Sequence, residues 1–107
     1  MEEFERRKKG FEKFYALSDE LRFKALSRRN QAVARWAAEK LGLAGEPAER
    51  YVEAFATPQI QEAEDEALVA RLHDEFAKAG VDLSAHRIRR KFEAAMAEAM
   101  AEIEAGK

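Results

Sequence analysis

Apolar positions along most of this chain recur at three- and four-residue steps, which predicts helices, and no strand-like alternation of useful length interrupts them. Ser18 and Asp19 can cap a helix whose apolar stripe runs through Phe23, Leu26, Val33, Trp36, Ala37 and Leu41. Gly42 and Gly45 then end it. Glu46-Pro47 opens a second helix, with proline in the first turn, where its missing N–H costs nothing. Tyr51, Val52 and Phe55 form its apolar side, and Thr57-Pro58 breaks the chain again. A third helix is predicted from about Gln61 to Ala79, with Leu68, Leu72, Phe76 and Ala79 on one face and Gly80 as its stop. Ser84 caps a last helix carrying Ile88, Phe92, Ala95, Ala99 and Ile103. The expected fold is all-α, a compact four-helix bundle over about 19–42, 46–56, 61–79 and 84–104, with short connections that favour antiparallel neighbours.

Residues 1–17 have a different pattern. Charged positions dominate, and the apolar ones are few but large: Phe4, Phe11, Phe14 and Tyr15. Positions 4, 11 and 15 step by seven and four and share a helix face, with Phe14 beside it. Gly10 weakens the helix by about 1 kcal/mol relative to alanine. Such a segment is expected to fray alone and to become helical when docked in a groove. The chain therefore divides into an N-terminal segment, residues 1–17, and a helical bundle, residues 18–107.

Composition narrows the picture. The 107 residues suffice for one domain, 47% hydrophobic and 37% charged, with 19 basic against 21 acidic groups. The net charge of -2 gives no basic excess for a phosphate backbone, so no nucleic acid is expected as partner. The absence of cysteine removes disulfides and thiolate metal sites. No apolar run reaches the ~18 residues of a membrane span, and Met1-Glu2-Glu3 does not begin a signal peptide. A soluble, cytoplasmic protein without membrane insertion is expected. Charge is uneven, however. Residues 1–30 hold nine basic and six acidic groups, a local +3, while residues 46–79 hold three and nine, a local -6.

No catalytic or metal-binding constellation emerges. His73 and His86 have neither an i, i+4 partner nor converging carboxylates, and read as surface or cap residues. Ser18, Ser27 and Ser84 read as caps or helix-surface positions. The run Glu62–Glu66 lacks calcium-loop spacing and suits a helix start. Trp36 reads as core. The basic clusters Arg28-Arg29 and Arg87, Arg89, Arg90, Lys91 could grip an anion such as ATP or ADP, or pair with carboxylates across the bundle.

Several words of sequence carry a family resemblance: Phe11-Glu12, Glu20-Leu21-Arg22-Phe23-Lys24-Ala25, Arg28-Arg29-Asn30, Trp36-Ala37-Ala38-Glu39 and Leu41-Gly42-Leu43, followed by Ala48, Tyr51, Gly80-Val81, Ser84, His86, Ile88-Arg89 and Lys91. In this order the chain resembles the zeta subunit of alphaproteobacterial F1Fo-ATP synthase over nearly its whole length. Phe14 and Ser18 stand where that family usually has lysine and aspartate. The resemblance implies a regulatory protein, not an enzyme, that inhibits ATP hydrolysis by F1 and lies peripheral to the inner membrane through F1. Its N-terminal helix would insert at an α/β catalytic interface, with γ as a further contact, in a mode similar to that of the mitochondrial inhibitor protein. Phe4, Phe11 and Tyr15 would then be apolar anchors with Phe14 beside them, and Arg7, Lys8 and Glu12 would make charged contacts. The alternative reading is a small nucleotide-binding or adaptor bundle with weak or no inhibitory activity.

Overall fold

The computed structural model of the chain describes residues 12–107. Residues 12–16 are helical, and five further helices follow: α1 (Asp19–Lys40), α2 (Gly45–Ala54), α3 (Pro58–Glu62), α4 (Asp65–Lys78) and α5 (Ala85–Glu104). No strand occurs among the described residues, so the fold is the all-α bundle that the periodicity predicts.

Local chemistry sets the helix ends. Ser18 is extended at φ -62°, ψ 161°, and its hydroxyl accepts the Leu21 N–H at 3.2 Å, which starts α1. Ser84 does the same for α5 through the Arg87 N–H. Gly42 takes φ +76°, which lets the Leu43 N–H reach back to the Ala38 carbonyl at 2.9 Å and close the end of α1. Gly80 closes α4 alike, with the Val81 N–H on the Phe76 carbonyl at 2.8 Å.

The expected third helix is divided. Thr57 does not only break the chain: its hydroxyl accepts the Ile60 N–H at 3.3 Å and, with Pro58 behind it, starts the short α3. Ala63 and Glu64 are then extended, with ψ of 147° and 145°, before α4 begins. Tertiary contacts explain the break. Ala63 packs on the core, Gln61 donates to the Phe23 carbonyl at 2.7 Å, and Asp65 meets Arg29 of α1 at 2.9 Å. These contacts outweigh the helix propensity of the intervening residues.

α1 packs along α5 and also against α2 and α3, while α4 packs on α5. Val33, Ala34, Ala37, Phe55, Leu72, Phe76, Ile88 and Phe92 lie at the centre of the core. The alanines of α1 let the helices approach closely, and Trp36 stands edge-on to Phe76 at 5.6 Å. Three details differ from the expected stripes. Phe23, expected on the apolar stripe of α1, is 60% exposed. Ala79, expected on the apolar face, is exposed at the C-cap of α4, whereas Val69, outside the expected stripe, is buried. Met100 joins the buried face of α5.

Candidate partner-binding surface

The sequence singled out seven partner-binding residues. Phe4, Arg7, Lys8 and Phe11 lie outside the described residues. Glu12, Phe14 and Tyr15 belong to the helical stretch 12–16. Glu12 is exposed, Tyr15 is 57% exposed and Phe14 is half-buried. The two aromatic rings meet edge to face at 5.3 Å, which ties Phe14 to Tyr15 and turns it partly away from solvent.

This stretch ends at an elbow. The Leu17 N–H bonds the Phe14 carbonyl at 3.2 Å, and the chain then passes through extended Ser18 into α1. Arg22, in the first turn of α1, reaches back over the elbow: one nitrogen donates to the Tyr15 carbonyl at 3.1 Å and the other to the Asp19 carboxylate. Lys13 pairs with Glu104 at the end of α5 at 3.3 Å. Lys13 and Arg22 were not among the seven, because both contacts depend on an elbow that periodicity alone does not locate. Large apolar side chains exposed among the described residues are Tyr15, Leu21 and Phe23, all at or near this elbow.

The basic clusters are largely engaged within the bundle. Arg28 donates to Glu102 at 3.0 Å and to the Lys107 backbone oxygen. Arg29 is 3% exposed, bonds Asp65 and the Asn30 side chain, and covers the Phe92 ring at 5.2 Å. Arg89 meets Glu66 at 2.7 Å and holds that carboxyl below its ordinary range. Lys91 lies over Trp36 at 5.9 Å, which the core reading of Trp36 does not include. An open groove of about 430 Å³ runs between α1 and α2 over Ala38 and Val52. Glu39, Glu49 and Glu53 rim it against one Arg35, a charge balance that repels a triphosphate. Both histidines are exposed, and the described residues hold no cluster of three or more metal-ligating side chains.

The family described as ATPase inhibitor subunit zeta matches residues 1–102 of the 107. The chain belongs to the ATPase inhibitor subunit zeta family. No curated protein matches it significantly. Membership of the zeta family gives the chain an inhibitory, regulatory role toward an ATPase and makes the F1 part of ATP synthase its partner at that level. No helix among the described residues is long and apolar enough to cross a membrane. The match takes in both the elbow and the bundle, so the zeta subunit's inhibitory role has to be sought across both.

Proposed function

We propose that this chain inhibits ATP hydrolysis by F1 through residues 1–17, which insert as an amphipathic helix at an α/β catalytic interface, while residues 18–107 hold and present that helix. Family membership over residues 1–102 is the observation that carries this reading. The apolar face formed by positions 4, 11 and 15 supports it, because a docked helix needs anchors on one side. Phe4, Phe11 and Tyr15 fill apolar pockets, Phe14 packs beside them, and Arg7, Lys8 and Glu12 pair with charges at the rim, where they set orientation and on-rate more than affinity. γ is reached by the tip of the helix. The protein acts without catalysis of its own and sits at the inner membrane through F1.

Photo-cross-linking tests this placement. A photoreactive residue at position 11, in protein added to cognate F1 under hydrolysis, is expected to label α and β. Labelling absent from both, with hydrolysis inhibited, would refute the interface while leaving inhibition intact.

A further inference from the structure

We infer that Arg22 is a positioning residue for the inhibitory helix: its guanidinium locks the elbow at Leu17–Ser18 and so sets the angle at which the bundle presents that helix. The inference rests on the inhibitory reading above.

The last carbonyls of a helix have no partner within it. In the stretch 12–16, the Phe14 carbonyl is met by the Leu17 N–H, and the Tyr15 carbonyl is met by Arg22 from seven residues further on. Arg22 therefore closes the C-terminal end of one helix from inside the first turn of the next. Its second nitrogen bonds Asp19, which fixes the plane of the fork relative to α1. Ser18 is already committed, since its hydroxyl caps α1 through the Leu21 N–H. Leu17 and Ser18 are the two residues that join the two helices. The contact of Arg22 on the Tyr15 carbonyl spans both residues and so restrains the joint. Lys13–Glu104 adds a second restraint, but both partners are more than half exposed and an exposed pair of this kind holds weakly.

A helix held at its docking angle binds with less ordering cost than one that swings. The arrangement thus acts on inhibition, and the buried core, which Arg22 does not enter, keeps the bundle folded.

The chain has no cysteine, so Glu12→Cys and Glu98→Cys place two spin labels uniquely. Pulsed dipolar distances are measured for this pair with native Arg22, with Arg22→Ala and with Arg22→Lys, and F1 inhibition is measured on the unlabelled proteins that keep Glu12 and Glu98 and carry the same three residues at position 22. With native Arg22 the distance distribution is expected to be narrow. R22A should broaden it, leave the thermal midpoint of the bundle in place and raise the half-inhibitory concentration about five-fold. R22K reaches one acceptor rather than two and should fall between. An R22A protein as potent as the wild type, or an equally narrow distribution, overturns the inference while the inhibitory reading stands. Wild-type protein that leaves hydrolysis untouched overturns both. Should R22A fail to fold, R22K decides: a distribution as narrow as that of native Arg22 overturns the inference.

Discussion

The two ends of α1 are held by different physics. Toward its C-terminal half, Val33, Ala34 and Ala37 are fully buried against Leu72, Phe76 and Ile88 of α4 and α5. At its N-terminal end, Asp19, Leu21 and Phe23 face solvent, and the joint to residues 12–16 is made by the Arg22 fork, the Ser18 cap and an exposed Lys13–Glu104 pair. Burial of apolar area is strong and insensitive to charge, whereas exposed polar contacts are each weak but fix direction. One end of the helix thus carries stability and the other carries geometry, and the two can be altered separately.

The largest expected effect falls on the buried end. Phe76→Ala removes a fully buried ring that also contacts Trp36 and should cost about 3–5 kcal/mol of unfolding free energy in a denaturant titration. A loss below about 1 kcal/mol would mean that the core closes without it. Arg29→Ala comes next, at about 2–3 kcal/mol, since it strips a buried side chain from Asn30, Asp65 and the Phe92 ring. Arg29→Met, which keeps most of the packing, should lose distinctly less.

Tyr51→Phe is smaller, about 1 kcal/mol, through its 2.6 Å hydrogen bond to Glu75. It also carries a pH signature. Burial first, and then Glu75, raise the Tyr51 phenol well above its ordinary value of 10.0. The unfolded chain then releases this proton before the folded one, so the contribution is present below about pH 10 and is lost as pH rises further. The alkaline fall in stability should be shallower in Y51F. The smallest effect belongs to Glu66→Gln. Arg89 lowers the Glu66 carboxyl, so its contribution is present above the ordinary carboxylate range and lost on acidification through the lowered value. E66Q should flatten that acid limb slightly and leave neutral stability almost unchanged.

The bundle could be read from the sequence because its signals are local and periodic. The caps at Ser18 and Ser84, the closing glycines 42 and 80, and Leu68, Leu72 and Phe76 of α4 with Ile88, Phe92, Ala95 and Ala99 of α5 fall where spacing places them. The break at Ala63–Glu64 could not be read so, because Asp65 is fixed by Arg29, thirty-six residues away, and Gln61 by the Phe23 carbonyl. Phe23 itself shows the limit of periodicity: it fits the stripe by spacing, yet its side chain is 60% exposed. Of the candidate partner-binding residues, Glu12 and Tyr15 are exposed and Phe14 meets the Tyr15 ring edge to face, while Phe4, Arg7, Lys8 and Phe11 lie outside the described residues. Arg22 was legible only as part of a family word, not as a contact across the elbow, because that contact depends on where the backbone turns at Leu17 and Ser18.

The most direct test of the account is ATP hydrolysis by cognate F1 in the presence of the full-length protein and of protein lacking residues 1–17, each checked for helicity. Full-length protein should suppress hydrolysis, and the shortened protein should remain helical and leave hydrolysis at its uninhibited rate. Equal inhibition by both would contradict the account and move the inhibitory surface onto the bundle.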